Sequence, residues 1–311
     1  RMQARIIARF YRASPYNVIY CPHYPHLEGV MAVSLENPLA YCREKVCPEV
    51  SSLHYATLFQ TDEFKAFWLG CFTLNHELRQ ACLKQMEAGL TQVKLGWWRN
   101  ALADVANNTN PHPVITAISK PVIAKVPAEH WGELINKVAS GCEPKRYNSM
   151  ADWHKDIRSE MEPWIKLIQA RFGDTDTDYN GLLTFWTESS RLCQVLRMAK
   201  YLDQGFQPLP VELLSKHGVT AEQVKRREHN APTEAMFKEV SEALVQQADQ
   251  AWNTVPLDQR LFARPLRALF RMRIAELKVH QKAGHKLFTE QKIITPFKKF
   301  STAWTTQVLR W

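Results

Sequence analysis

Apolar side chains recur at intervals of three and four residues over long stretches of the chain. Met236, Val240, Leu244 and Ala248 form one such series. This spacing places apolar side chains on one face of an α-helix. Glycine, which weakens helices, occurs only 11 times in 311 residues. The pattern therefore predicts an all-α protein.

Capping residues and prolines indicate where the predicted helices begin and end. Asp62 is close to the N-cap of the first long helix, and Pro113 helps to stop the second. Helices are predicted over residues 63–83, 86–106, 113–125, 127–141, 150–172, 181–202, 220–227, 232–255, 263–284 and 296–311. Because the connections are short and no Gly/Ser-rich linker divides them, residues 41–311 are predicted to form a single large helical domain.

Residues 1–40 are predicted to form a basic, proline-containing arm that precedes the helical domain. The first 27 residues contain no acid, and four arginines of this stretch fall on nearly one helical face: Arg1, Arg5, Arg9 and Arg12. Two interpretations stay open, a solvated basic face and the remnant of a mitochondrial presequence, which is typically Arg-rich and acid-poor. In either case these arginines are candidate contacts for a partner or an anionic surface.

The composition limits the classes of partner. With 45% hydrophobic and 23% charged residues the chain is a typical folded protein, and no apolar run is long enough to predict a membrane span. The net charge of +9 is compatible with nucleic acid, an anionic membrane or an acidic protein. Basic residues are interspersed with acids, as in residues 225–228, and aromatics do not alternate with them on a strand. Nucleic acid is therefore not a predicted partner.

Cysteine spacing indicates reduced thiols rather than a disulfide framework. The seven cysteines include no CxxC pair: Cys21, Cys42, Cys47, Cys71, Cys82, Cys142 and Cys193. Two thiols, Cys42 and Cys47, cannot complete a tetrahedral zinc site by themselves. No metal and no cofactor are expected.

His76 and Glu77 are the first candidates for acid/base chemistry. Neighbouring helical residues point about 100° apart, so these two side chains do not face the same point. No second carboxylate follows three or four residues later to build a two-acid site. An ordinary ion pair with a nearby arginine is the simpler interpretation of Glu77.

Six segments, in this order and spacing, resemble the squalene/phytoene synthase family. They are SSLHYATLF (51–59), FWLGCFTLNHEL (67–78), KLGWWRNAL (94–102), HPV (112–114), VLR (195–197) and LPVELLSKHGV (209–219). The resemblance covers nearly the whole chain after residue 40. Within the family, the chain is similar to the mitochondrial branch that includes a complex I assembly factor.

The resemblance implies an all-α isoprenoid-synthase fold in which two aspartate-rich motifs hold Mg²⁺ and a substrate diphosphate in a central cavity. The first motif falls on Glu77, Leu78, Arg79, Gln80 and Ala81, where one acid of three remains. The second motif falls on Gln194, Met198 and Leu202, where no acid remains. Asp203 is adjacent, but a shift of one residue rotates a helical side chain by about 100°, away from the cavity.

The missing acids predict a pseudoenzyme. Met198 and Leu202 at an i, i+4 spacing are typical of core packing, so the cavity is predicted to be filled by side chains or to remain an apolar pocket for a lipid or quinone-like tail. The resemblance then implies a non-catalytic accessory subunit or assembly factor of a mitochondrial inner-membrane energy-transducing complex, a respiratory complex or ATP synthase. Its expected location is peripheral, on the matrix side, in contact with protein subunits and anionic lipid.

The alternative is a prenyl-lipid-binding protein or a residual prenyltransferase. It is motivated by the charged residues expected near the ancestral diphosphate pocket: Glu77, Arg79, Arg191 and Arg197.

Overall fold

A computed structural model describes residues 37–82, 88–105, 112–172 and 177–308. These residues form sixteen α-helices and no strand, which confirms the all-α class. The helices are α1 (Pro38–Val46), α2 (Ser52–Thr57), α3 (Asp62–Ala81), α4 (Ala88–Ala103), α5 (Pro113–Ile118), α6 (Lys120–Ile123), α7 (Ala128–Ser140), α8 (Met150–Phe172), α9 (Asn180–Leu196), α10 (Met198–Asp203), α11 (Val211–Lys216), α12 (Ala221–Lys225), α13 (Ala231–Thr254), α14 (Leu257–Phe262), α15 (Arg264–Lys282) and α16 (Pro296–Val308).

Helices α9 and α13 pack against each other along most of their length. They run antiparallel, because Gly181 lies beside Thr254 while the rings of Phe185 and Trp252 are 4.8 Å apart. A Cβ atom added to Gly181 would lie 2.6 Å from Thr254 Oγ1, so glycine permits the close approach. The apolar series on α13 that begins at Met236 is fully buried in this interface and the surrounding core, as its spacing predicts.

Helix α3 passes through the apolar core and contacts helices from both halves of the chain. Its Trp68 ring is 5.0 Å from that of Phe262, and Trp68 Nε1 donates to the Phe262 carbonyl at 3.1 Å. At Gly70 the helix touches α5, since a Cβ atom there would lie 2.7 Å from Ile118 Cγ1. Helix α3 therefore holds the first motif in a fixed position.

Two of the predicted helices are each interrupted, and the uninterrupted predictions were wrong. The helix over 181–202 breaks at Arg197, which has φ −110° and ψ 21°. After the break the Ala199 N–H donates to the carbonyl of Leu287, at 3.0 Å, so a distant loop takes part in ending α9. The helix over 113–125 breaks at Ser119, with φ 90°, because Pro121 has no N–H to continue the ladder.

Other helix bounds agree with the prediction to within a few residues. Helix α8 spans residues 150–172 as expected, and the N-cap of α3 is Thr61, whose side chain accepts from the Phe64 N–H. Four short helices are absent from the prediction: α1, α2, α11 and α14.

The connection between α15 and α16 is organised by a buried histidine. His280 is 1% exposed, and its Nε2 accepts a hydrogen bond from the Lys292 backbone N–H at 3.0 Å. The neutral ring therefore carries its proton on Nδ1. Burial, together with nearby positive charge, lowers the pKa of His280 to about 4. Helix α16 is then tied to the body by buried Lys299, whose Nζ donates to the Val50 carbonyl at 2.9 Å.

The predicted arm lies almost entirely outside the described residues. Of the 40 residues assigned to it, the structure describes 37–40, and α1 begins at Pro38. The candidate contact residues Arg1, Arg5, Arg9 and Arg12 also lie outside the described part. Within the described ranges, no helix combines the length and hydropathy needed to cross a membrane.

Candidate functional site

The acid that remains in the first motif is engaged in a local contact. Glu77 lies on α3, and its Oε1 accepts a hydrogen bond from the Tyr41 hydroxyl of α1 at 2.8 Å. Leu78 and Ala81 of the same motif are buried in the apolar core. His76, the other candidate base, is partly buried, and burial lowers its pKa.

Arg79 forms an ion pair across the interior with Glu160 of α8. Arg79 Nη2 lies 3.2 Å from Glu160 Oε2, and the two side chains are 23% and 10% exposed. The guanidinium also donates to Asn75 Oδ1 at 3.3 Å and to the Gly141 carbonyl at 3.5 Å. A cation of the protein thus occupies a first-motif position.

Gly141, at the end of α7, makes room for the acidic member of this pair. A Cβ atom built on Gly141 would lie 1.5 Å from Glu160 Oε1, far closer than two nonbonded atoms can approach each other. The Glu160 carboxylate therefore packs directly over the glycine. Burial raises the pKa of Glu160, and the Arg79 charge opposes that rise.

Both motif segments contact α8: Arg79 of α3 pairs with Glu160, and Trp153 donates to Gln194 of α9. Burial raises the pKa of the Tyr201 hydroxyl to about 12, and the charges of Arg79, Arg197 and Glu160 also act on it. Helix α8 therefore contacts both of the segments that the resemblance assigns to one cavity.

The second-motif residues provide packing and a neutral hydrogen bond. Gln194 Oε1 accepts from Trp153 Nε1 at 2.7 Å. Met198 is completely buried, and Leu202 packs partly buried against the core. Asp203 lies at the surface, 63% exposed, and pairs with Arg227 at 2.6 Å, so it is directed away from the interior.

These residues do not fit a Mg²⁺–diphosphate site. Mg²⁺ requires oxygen ligands in near-octahedral geometry, whereas the motif positions carry one carboxylate that is hydrogen-bonded to Tyr41, an arginine, two glutamines and apolar side chains. In the described ranges, no group of three or more His, Cys, Asp or Glu side chains is placed to hold a metal ion. Within the described residues, these positions provide core packing, an internal ion pair and a neutral hydrogen bond.

A second polar cluster, on α8 and α9, was not recognised in the sequence. Arg191 and Glu188 form a buried ion pair at 2.7 Å, each side chain 3% exposed. His154 Nδ1 lies 2.7 Å from the other oxygen of Glu188, and the Arg191 guanidinium stacks 4.3 Å from the centre of the Trp153 ring. The i, i+3 spacing of Glu188 and Arg191 within a predicted helix was the signal that could have revealed it.

This cluster forms part of the wall of an open groove of about 570 Å³ between α8, α9 and α13. Polar side chains from α13, Gln247 and Gln250, form the opposite wall. Arg191 Nε is buried and has no hydrogen-bond partner among the described residues. The resemblance places Arg191 near the diphosphate pocket of the family. Here its guanidinium is paired with Glu188, and its Nε–H makes no hydrogen bond to the described residues.

Helices packed in this way, with both motif segments against one helix of an all-α domain, are of the isoprenoid-synthase type. The sequence model of squalene/phytoene synthase matches residues 72–296, and the chain belongs to this family. No curated protein sequence matches the chain at a significant level.

Two solved structures share the fold. Squalene synthase HpnC from Alicyclobacillus acidocaldarius is 16% identical, with a TM-score of 0.61 over 81% of this chain and 96% of that one. A dehydrosqualene synthase determined in complex with a ligand is 12% identical, with a TM-score of 0.70 over 89% of this chain and 97% of that one. At such identities the likeness concerns the fold alone.

Proposed function

We propose that this chain is a non-catalytic member of the squalene/phytoene synthase family that acts through protein contacts. The observation that carries the proposal is the burial of Leu78 and Ala81 in the apolar core, at two first-motif positions where the family chemistry requires carboxylates. Arg79 lies between them and is already paired with Glu160 of the protein. Buried Met198 at the second motif supports it, because a divalent ion beside a thioether in a closed core would lose its hydration without gaining oxygen ligands.

The proposed role is that of an accessory subunit or assembly factor of a mitochondrial inner-membrane energy-transducing complex, either a respiratory complex or ATP synthase. Support comes from the resemblance to the mitochondrial branch of the family and from the acid-free, Arg-rich first 27 residues. The protein would act peripherally on the matrix side, with other subunits of the complex as its partners.

Two measurements test this function. Purified protein incubated with farnesyl diphosphate and Mg²⁺ should release no diphosphate, while an active family enzyme assayed in parallel does. Tagged protein purified from mitochondria of its own source should carry stoichiometric subunits of one complex. Diphosphate release that depends on Mg²⁺ and is lost in Glu77→Ala would overturn the non-catalytic assignment.

A ligand-binding function is the second candidate, and the groove beside Arg191 favours it. Its volume lies in the range of small-molecule sites, and Arg191 Nε offers an unused buried donor. Thermal unfolding with and without farnesyl diphosphate or inorganic diphosphate tests this candidate. Ligand stabilisation that disappears in Arg191→Met and persists in the surface variant Arg226→Met would support it. If neither compound shifts the unfolding temperature, this candidate is rejected.

A further inference from the structure

Helix α16 turns its apolar face to the solvent and its polar face to the protein. Its exposed large apolar residues are Phe297, Phe300, Trp304 and Val308, which are 79%, 40%, 49% and 53% exposed. The side chains buried against the body are instead small or polar: Lys299, Thr302, Ala303 and Thr306. This is the reverse of the usual arrangement of a surface helix.

The exposed residues form one narrow stripe. At about 100° per residue, the four positions fall within an arc of roughly 80°, and at 1.5 Å per residue the stripe is about 16 Å long. The buried positions lie on the opposite side of the helix. Polar contacts hold that side, including the bond from Lys299 to the Val50 carbonyl and one from Arg271 to Thr306 Oγ1 at 3.3 Å.

The charges around the stripe identify the kind of surface that it fits. Residues 291–308 contain no Asp or Glu, and exposed Lys298 lies about 80° around the helix from Val308, on the flank between the stripe and the buried side. Phe and Trp on one face with lysine beside them are typical of helices that lie in the interface of a bilayer. A helix without acidic residues does not repel anionic lipid headgroups, and these headgroups attract an exposed lysine such as Lys298 on its flank.

We propose that α16 is an interfacial membrane-binding helix that inserts the α16 stripe, Phe297, Phe300, Trp304 and Val308, into an anionic lipid surface. Phe300 also contacts the body, because its ring is 6.4 Å from that of Tyr55 and 5.8 Å from that of Phe59. The inserted helix therefore stays attached to α2 and places this side of the domain against the bilayer. Membrane binding by α16 does not depend on whether the two motif segments bind a metal.

Vesicle flotation tests the proposal directly. The protein should float with vesicles that contain phosphatidylglycerol and remain in solution with phosphatidylcholine alone. Phe297→Ser/Trp304→Ser should reduce partitioning by about tenfold or more, and Lys298→Ala by about fivefold. Val93→Ser/Leu257→Ser is the matched control, since these side chains are 65% and 67% exposed on other helices and should leave partitioning unchanged.

A second readout places the helix in the bilayer and separates other occupants of the stripe. Brominated lipids should quench tryptophan fluorescence in the intact protein, and Trp304→Phe should remove that quenching while it preserves flotation. Partitioning that is unchanged in Phe297→Ser/Trp304→Ser would assign lipid binding to another basic segment, such as that of Arg1 and Arg5, and overturn the proposal. Concentration-dependent dimerisation in sedimentation velocity, lost in the same variant, would assign the stripe to a second copy and also overturn it.

Discussion

Replacement of Arg79 by methionine would leave the Glu160 carboxylate buried without its partner, and the expected loss of stability follows from Glu160 itself. The side chain is only 10% exposed, so in the variant it should take up a proton rather than remain a buried anion. Its ordinary pKa is 4.5. Keeping it neutral at pH 7 in the folded state, while it ionises in the unfolded state, costs about 3 kcal/mol.

The pH dependence of this loss provides the sharper test. Because the folded pKa of Glu160 in the variant lies above the unfolded pKa, the stability deficit grows as the pH rises. Relative to the wild type, Arg79→Met should lose at most about 3 kcal/mol at pH 7 and at most about 1 kcal/mol at pH 5, because burial already raises the pKa of Glu160 in the wild type and part of the cost is present there. In Arg79→Met/Glu160→Leu both charges are absent, so stability should return to within about 1 kcal/mol of the wild type at either pH.

Urea unfolding followed by circular dichroism measures these differences. The control is Arg226→Met, which breaks an exposed pair whose side chains are 66% and 57% exposed and should change stability by less than about 0.5 kcal/mol. The prediction is wrong if Arg79→Met changes stability as little as Arg226→Met does, or if its loss of stability is as large at pH 5 as at pH 7. Either result would mean that Arg79 does not stabilise a buried Glu160 carboxylate.

Three further predictions concern neighbouring groups. Gly141→Ala should destabilise the protein by about 2 kcal/mol in urea unfolding, because the new Cβ displaces the Glu160 carboxylate, and the loss should largely vanish in a Glu160→Ala background. The pKa of His280 in the folded protein is lowered to about 4, whereas its ordinary value is 6.5. The free energy of unfolding should therefore decrease as the pH falls below 6.5, by about 2 kcal/mol at pH 5. His280→Gln should reduce this loss, and an unchanged pH profile would contradict it. Iodoacetamide at pH 7.5 should label Cys142 before Cys42. A hydrogen bond with Cys82 lowers the pKa of Cys142, whereas burial raises the pKa of Cys42 to about 11. Peptide mass spectrometry shows the order of labelling.

Long periodic segments allowed most of the fold to be predicted from sequence. The bounds of α8 and the burial of the α13 series follow from spacing and capping alone. The break at Arg197 did not, because no proline or glycine marks it and the competing acceptor, the Leu287 carbonyl, is distant in sequence. Helices of four to nine residues, such as α2, contain too few turns to show a period.

The candidate site was predictable in composition but not in its pairing. The sequence shows that the motif positions carry Arg79, Met198 and Leu202, and the structure places them inside or against the core. The partner of Arg79 could not be predicted, since Glu160 lies 81 residues away. Glu188 and Arg191 are close in sequence, and a search for buried i, i+3 ion pairs would have found them.

The glycine beneath Glu160 limits the further charges that the interior can accept. A carboxylate introduced at a motif position would face an interior in which Arg79 is already paired with Glu160 over Gly141. An aspartate placed at position 198 would add an unpaired negative charge to a fully buried position and destabilise the fold before any metal could bind. A metal site could therefore be built into the present interior only if several residues changed together.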